Sequence, residues 1–183
     1  MFDFSGMTWV EIMGQFLGFF GMGCTIMSFQ ARRKKYILLM QTIACLFWIS
    51  HYFFIGSVIG AGMEFVSMIR NLLYIRKDKI PKKAFWLVPT VSLIAFAAIT
   101  GVTYQSPVDI LPFFACLAAT VALYMKKENV LRVLSLATSV FWFTYNIFAF
   151  SIAGMLNEIF ASASIIIALI RYAKPKRNLD TRN

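Results

Sequence analysis

The distribution of apolar and polar residues along the chain predicts an all-α polytopic membrane protein with seven transmembrane helices. Apolar runs of about twenty residues, the length that crosses the hydrocarbon core of a bilayer, alternate with short polar connections. The third and seventh runs are expected to be the least apolar because each contains a glutamate, and the number of crossings falls to six if one of them is re-entrant. The predicted helices are Thr8–Gln30, Tyr36–Ile55, Val58–Ile75, Ala84–Val102, Val108–Met125, Val130–Phe150 and Ile152–Tyr172.

The pattern of the first three helices recurs 94 residues further along the chain. The segment FWISHYFFIGSVIGAGME, residues 47–64, aligns without a gap on FWFTYNIFAFSIAGMLNE, residues 141–158. Identical residues occupy the pairs Phe47/Phe141, Trp48/Trp142, Phe54/Phe148, Ser57/Ser151, Gly60/Gly154 and Glu64/Glu158. An internal repeat of this kind indicates two related structural units. We therefore predict two parallel triple-helix repeats in a 3+1+3 arrangement: a first repeat over residues 1–77, a linker helix over 78–103, and a second repeat with a short basic tail over 104–183.

The charge of the connections predicts how the chain is oriented in the membrane. Lysine and arginine lie in Ala31–Lys35, Arg76–Lys83, Lys126–Asn129 and the tail after Tyr172, whereas the N-terminus and the other connections have neither. Basic connections remain on the cytoplasmic side of a membrane. The sequence therefore predicts an N-terminus outside and a C-terminus in the cytoplasm, which agrees with an odd number of crossings. The first apolar run is expected to be retained as a spanning helix, since no basic stretch precedes it.

Composition narrows the classes of protein to consider. Hydrophobic residues make up 60% of the chain and aromatic residues 16%, and the mean hydropathy is +0.71. A soluble domain of this length could not bury so much apolar surface. The net charge of +10 would be typical of a nucleic-acid-binding protein, but basic residues beside apolar runs indicate membrane lipids as partners and no nucleic acid. The three cysteines lack the spacing of a disulfide framework or a zinc site, and we expect no cofactor or metal.

The second half of the chain resembles a known family. The segment Asp109–Tyr172, DILPFFACLAATVALYMKKENVLRVLSLATSVFWFTYNIFAFSIAGMLNEIFASASIIIALIRY, resembles the bacterial inner-membrane YgjV family, and the resemblance extends over nearly the whole length. It implies location in the bacterial inner membrane. In plan the chain is also similar to the SWEET sugar carriers and PQ-loop proteins, which are built from two parallel triple-helix bundles. In the first half of the chain the family resemblance rests on the basic cluster after helix 1 and on Gln15, Gly18, His51, Gly56 and Ile69-Arg70.

Two features depart from the pattern of the SWEET and PQ-loop proteins. The PQ dipeptide is absent, because Pro112 is followed by Phe113 and the matching position in the first helix is Gly18. The second and sixth predicted helices contain none of the prolines at which the sugar carriers flex. These departures count against a sugar substrate and against the same hinge, and they leave the resemblance in architecture unchanged.

Two glutamates are the leading candidates for function. Glu64 and Glu158 each lie about six residues, or roughly 9 Å, inside the end of a predicted helix. A carboxylate that faces lipid is unfavourable, so we expect both side chains to face the bundle interior or a water-filled cavity. No basic residue lies at that depth, and Arg70 and the basic clusters are expected to reach anionic headgroups. The glutamates either bind a solute, with or without proton coupling, or are structural residues that connect helices.

Aromatic and polar residues near the same depth complete the predicted site. Trp48 and Trp142 either stack on a flat solute or fill the core. His51 is a hydrogen-bonded pore residue, a proton acceptor or an interhelical contact, and Asn146 is a second polar candidate. The predicted substrate-binding residues are Trp48, His51, Glu64, Trp142, Asn146 and Glu158.

These observations favour a membrane transport function. The first hypothesis is a permease for a small metabolite, sugar- or nucleoside-like, that works by alternating access between the two repeats. The alternative is a non-transporting accessory subunit or lipid-interacting scaffold, which the missing prolines favour. An enzyme is not expected, because sequence motifs such as HExxH and GxSxG are absent. The sequence leaves open whether the chain forms a homo-oligomer.

Overall fold

The structure is a computed structural model that describes residues 7–125 and 127–173. All regular structure in these residues is helical, and seven helical segments are long and apolar enough to cross a membrane. The prediction of seven helices of spanning length and composition, including the two that contain glutamates, is therefore confirmed. The seventh is among the most apolar of them, so the expectation that it is one of the least apolar is wrong. Most of the predicted basic tail lies outside the described residues. The helices are α1 (Trp9–Gln30), α2 (Lys34–Phe54), α3 (Val58–Ile75), α4 (Leu87–Thr103), α5 (Leu111–Tyr124), α6 (Glu128–Phe148) and α7 (Ile152–Ala173).

Short 3-10 turns account for the clearest differences from the predicted bounds. The turn Pro107–Ile110 precedes α5, and the turns Lys77–Lys79 and Lys82–Ala84 precede α4. In the first of these, the Asp109 carboxylate accepts the backbone N–H of Ser106 at 2.8 Å. Proline then occupies the start of α5, where its missing N–H has no helical partner to lose. The apolar run beginning at residue 108 therefore folds as two helical pieces.

Six helices surround a common interior. Contacts between neighbouring helices run in the order α1, α2, α3, α5, α6, α7 and back to α1, and that of α3 with α5 is the least extensive of them. The helix α4 packs outside this ring, against α3 and α5. Its outward residues Val91, Ile94 and Val102 are exposed, whereas Phe96 is fully buried. Such an apolar outer face is suited to lipid.

The turns after α2 and α6 have the same geometry. Each contains one residue with positive φ, Gly56 at 78° and Phe150 at 50°. Glycine adopts this left-handed conformation readily, whereas a phenylalanine does so rarely. The next residue, Ser57 or Ser151, accepts the backbone N–H of the glycine three positions on, at 3.1 and 3.0 Å. Residues 94 apart thus occupy equivalent places in both turns.

Glycine permits close helix packing along α1, most closely at Gly18. A Cβ added to Gly18 would lie 2.6 Å from the Cβ of Ala153 and 2.8 Å from Nδ1 of His51. Gly23, on the same helix, has open space around it. The approach of α1 to both α2 and α7 therefore depends on the missing side chain at Gly18.

Candidate functional site

A cavity of about 130 Å³ lies inside the ring of six helices. Side chains from α1, α2, α3, α5, α6 and α7 line it, and α4 contributes none. A water molecule needs only about 10–15 Å³ of such space, so the cavity has room for several waters or for part of a small solute. The lining residues that define its chemistry are Cys45, Trp48, Tyr52, Glu64, Arg70, Ser139, Trp142, Asn157 and Glu158.

Both predicted glutamates line this cavity. Glu64 projects from α3 and lies beside the thiol of Cys45, while Glu158 projects from α7 and lies beside the hydroxyl of Ser139. These two pairs are 94 residues apart in the sequence. The amide of Asn157 donates to Oε1 of Glu158 at 2.8 Å. The two carboxyl groups therefore face one shared interior, as expected, and lie close enough to interact electrostatically.

The two predicted tryptophans also border the cavity. Trp142 stacks on Tyr52, with ring centroids 5.7 Å apart and an interplanar angle of 23°. Trp48 donates its indole N–H to Oγ1 of Thr25 at 3.2 Å. Both indoles are largely buried. They consequently belong to the core and at the same time supply an aromatic wall to the cavity.

His51 and Asn146 do not line the cavity. One ring nitrogen of His51 lies 2.7 Å from Oγ of Ser151, and Asn146 Oδ1 accepts the hydroxyl of Tyr52 at 2.9 Å. The exposed fractions of His51 and Asn146 are 0% and 1%. Among the interpretations left open by the sequence for His51, these contacts agree with the interhelical contact.

These two residues belong to a larger network beside the turns that follow α2 and α6. Oγ of Ser57 lies 2.6 Å from the hydroxyl of Tyr145. Gln15 on α1 donates to the carbonyl of Phe150 at 3.2 Å and accepts the backbone N–H of Ala153 at 3.0 Å. This network, named the turn layer, consists of Gln15, His51, Tyr52, Ser57, Tyr145, Asn146 and Ser151.

Arg70 is a cavity residue that sequence reasoning missed. Its assignment to lipid headgroups is wrong, because the side chain is only 4% exposed and lines the cavity. It donates to Oγ1 of Thr120 at 2.8 Å and to the carbonyl of Cys116 at 3.4 Å. Its guanidinium also lies 5.5 Å from the ring centre of Phe96. The feature of the sequence that could have indicated a cavity residue is the position of Arg70 inside an apolar run, six residues after Glu64.

Two further basic residues point inward instead of toward headgroups. Arg132 on α6 donates to carbonyls at the end of α1 at 3.3 and 2.7 Å, and Lys34 on α2 donates to carbonyls at the end of α5. Arg132 is only 1% exposed. Cations suit helix C-termini, where the carbonyl groups lack helical partners. Arg132 binds the carbonyls of Phe29 and Ala31. Lys34 binds those of Leu123 and Met125, which lie 94 positions later in the sequence.

The same side of the bundle contains contacts between α1 and α7. Gln30 donates to Oγ of Ser164 at 2.7 Å, and the hydroxyl of Tyr172 donates to the carbonyl of Gln30 at 2.7 Å. The guanidinium of Arg132 lies 4.8 Å from the ring centre of Tyr172. This second network, named the basic layer, consists of Gln30, Lys34, Arg132, Ser164 and Tyr172. The basic layer and the turn layer therefore connect helices at opposite ends of the bundle.

Comparison with known proteins identifies one family. The model of the Imp-YgjV family, described as a bacterial inner membrane protein, matches residues 12–176. This match confirms the resemblance carried by Asp109–Tyr172. No curated protein and no solved structure matches the chain. Within residues 7–125 and 127–173, no group of three or more His, Cys, Asp or Glu side chains is placed to hold a metal ion.

Proposed function

The chain belongs to the Imp-YgjV family of bacterial inner membrane proteins, and from this premise we propose that it is a small-molecule permease that works by alternating access. The observation that carries the proposal is the polar cavity inside the six-helix ring. Ionisable side chains within a membrane-spanning bundle are unfavourable unless they face such a cavity, and they commonly mark a solute pathway. The solute is of metabolite size, polar, and able to place a flat or apolar part against Trp48 and Trp142.

In this proposal, α1–α3 and α5–α7 are parallel repeats and α4 is the linker that returns the chain across the membrane. The contact of α1 with α7 and the less extensive contact of α3 with α5 correspond to each other under the repeat and support it. So do the matching turns at Ser57 and Ser151. The placement of Glu64 and Glu158 on opposite helices of one cavity is a third support. A solute site between two repeats is the arrangement that alternating access requires.

The proposed motion alternates between the two hydrogen-bonded layers. The turn layer joins His51 to Ser151 and Tyr52 to Asn146, across the two proposed repeats. The basic layer joins them at the other end of the cavity. We propose that the turn layer faces the outside and the basic layer the cytoplasm, following the positive-inside rule. A fluorescent protein fused to the C-terminus should then be fluorescent in cells, whereas a periplasmic phosphatase fused there should be inactive; the reverse pattern contradicts this orientation.

The test of transport is solute uptake by the purified protein in proteoliposomes, screened over sugars, nucleosides, amino acids and vitamins with and without a pH gradient. For a transported solute, Glu64→Gln and Glu158→Gln should each lower the rate about tenfold or more, as expected for losing a charge-assisted hydrogen bond. They should also change its pH dependence. Asp78→Asn, which neutralises an exposed carboxylate in the α3–α4 connection, is the matched control.

Three outcomes of this test have distinct meanings. Uptake that depends on both glutamates supports the proposal. Uptake with the same rate and pH profile in both variants removes the carboxylates from the mechanism. Absence of uptake for every solute in the screen favours the non-transporting accessory or lipid-interacting scaffold.

A further inference from the structure

We propose that the solute is amphoteric, with an acidic group bound at Arg70 and an amino group bound at Asn157 beside Glu158. This inference rests on the proposed function, because it names the substrate class of the same cavity. Its basis is a pair of buried polar atoms of opposite hydrogen-bonding character. Each has no partner among the described residues, and each belongs to a side chain that lines the cavity.

The first of these atoms is Nε of Arg70, a donor. It is buried without a hydrogen-bond acceptor in the described part of the chain. The terminal nitrogens donate only to neutral groups, the hydroxyl of Thr120, the carbonyl of Cys116 and the side-chain oxygen of Asn71. A buried guanidinium without a carboxylate contact is strongly unfavourable inside a bilayer. An acidic group on the solute would supply the missing acceptor in a direct, charge-assisted contact.

The second atom is Oδ1 of Asn157, an acceptor. The residue is 5% exposed, and its amide nitrogen already donates to Glu158 at 2.8 Å. The oxygen has no donor among residues 7–125 and 127–173. An ammonium group carries three N–H donors and no acceptor. It would therefore satisfy Asn157 while interacting with the neighbouring carboxyl groups.

The count of charges in the cavity favours a solute with no net charge. The ionisable lining residues that carry charge are one cation, Arg70, and two carboxyls, Glu64 and Glu158. The net charge of these three side chains is zero when one carboxyl is protonated, and two neighbouring carboxyl groups can share that proton. A solute with a single net charge would leave the loaded cavity charged in a low dielectric, whereas a zwitterion would not.

The site is asymmetric at the two residues with unpartnered atoms, Arg70 and Asn157. The lining pairs of tryptophan and glutamate are identical in the two halves of the sequence. Arg70, in contrast, corresponds to Ser164, and Asn157 corresponds to Met63. Neither Ser164 nor Met63 lines the cavity. The repeat is thus broken where the two unpartnered atoms lie, as expected for a solute with two different ends.

The dimensions limit the solute to a short amphoteric molecule. Arg70 follows Glu64 by six residues, a rise of about 9 Å along α3. The long side chain of Arg70 shortens the distance from its guanidinium to the carboxyl of Glu64. Trp48 and Trp142 border the cavity and can contact an apolar substituent. Amino acids with apolar side chains and short ω-amino acids fall within this description.

The test measures binding of matched probe sets to the purified full-length protein in detergent by calorimetry. One set is L-phenylalanine, 2-phenylethylamine, which lacks the carboxylate, and 3-phenylpropionate, which lacks the amine. Two further sets are built in the same way, one from L-leucine and one from 4-aminobutanoate, each with the amine and the carboxylic acid of the same carbon skeleton. In at least one set the zwitterion should bind about tenfold more tightly than either partner, as expected for one charge-assisted contact. If no zwitterion exceeds its two partners, the inference is overturned.

Variants then assign each end of the solute. Arg70→Gln should reduce binding of the preferred zwitterion about tenfold or more while leaving binding of the matching amine unchanged. Asn157→Leu should remove the preference over the matching acid. If Arg70→Gln does not fold, Arg70→Lys, which keeps the charge and loses the fork-shaped donor array, should weaken the zwitterion selectively. Arg33→Gln, a change at an exposed arginine, is the control. Equal loss for all three probes in a set would show a structural role only.

Binding and uptake separate this inference from the proposed function. Zwitterion binding without uptake in proteoliposomes supports the assigned site and contradicts the permease. Uptake of a sugar or nucleoside, with no zwitterion preference in binding, supports the permease and contradicts the amphoteric solute.

Discussion

The turn layer and the basic layer both connect α1–α3 with α5–α7, yet they use different chemistry. In the turn layer, neutral side chains bind one another, as in the contacts of His51 with Ser151 and of Tyr52 with Asn146. In the basic layer, cationic side chains bind backbone carbonyls, as Arg132 and Lys34 do at the ends of α1 and α5. The first layer lies deep among aromatic rings, and the second lies at the helix ends.

This difference implies that the two layers resist opening unequally. Separating the turn layer would leave several neutral groups buried and unpaired, at about 1–3 kcal/mol for each. Lys34, in contrast, is only partly buried and lies at the start of its helix. A long basic side chain in that position can exchange a carbonyl for water or a headgroup. We therefore expect the cavity to open more readily through the basic layer.

The largest predicted effect is that of removing Arg132. Arg132→Met leaves two buried carbonyls without their charged donor and should lower the free energy of unfolding by about 3 kcal/mol. Thermal unfolding in detergent measures this loss. Arg33→Met, which removes the same charge from an exposed residue, should have little effect. Equal effects of the two substitutions would show that the contacts of Arg132 contribute nothing specific.

Removing Arg132 together with Lys34 tests access to the cavity. Cys45 and Cys116 line the cavity and provide native positions for alkylation. In a Cys24→Ala background, Arg132→Met combined with Lys34→Met should increase their reaction with a maleimide added to the side of the basic layer. An unchanged rate would contradict the role of this layer as a barrier.

A smaller effect is predicted where α1 meets the turn layer. Gly18→Ala places a methyl group 2.6 Å from the Cβ of Ala153 and 2.8 Å from the ring of His51. Such overpacking should destabilise the fold by about 1–3 kcal/mol. Gly23→Ala, on the same helix but in open space, should be neutral or stabilising by up to about 1 kcal/mol. Melting temperatures that fall equally in both variants would indicate a general helix effect in place of a steric one.

The seven helices and four of the six predicted site residues could be predicted because they depend on periodic features of the sequence. Apolar length gives the seven helices, and the 94-residue repeat pairs Glu64 with Glu158 and Trp48 with Trp142. All four of these side chains line the cavity. Residues at equivalent positions of a repeat have equivalent environments, so a polar pair inside apolar helices indicates a shared interior.

The inward-facing cations could not be predicted in the same way. Arg70 and Arg132 have no basic counterpart in the other half of the sequence, where Ser164 and Leu38 stand. A long side chain near a helix end can reach a headgroup or turn into the bundle, and only the tertiary contacts decide between the two. His51 was ambiguous for a related reason, because its partner Ser151 lies 100 residues away in sequence.

The smallest predicted effect is that of removing one hydroxyl from the turn layer. Tyr52→Phe deletes the donor to Asn146 but keeps the ring that stacks on Trp142. The free energy of unfolding should fall by about 1 kcal/mol, with no change for Tyr36→Phe at an exposed position of the same helix. Cys45 should remain slow to react with a maleimide from the side of the turn layer, because the other neutral contacts persist. A faster reaction of Cys45 from that side would contradict the unequal resistance of the two layers to opening.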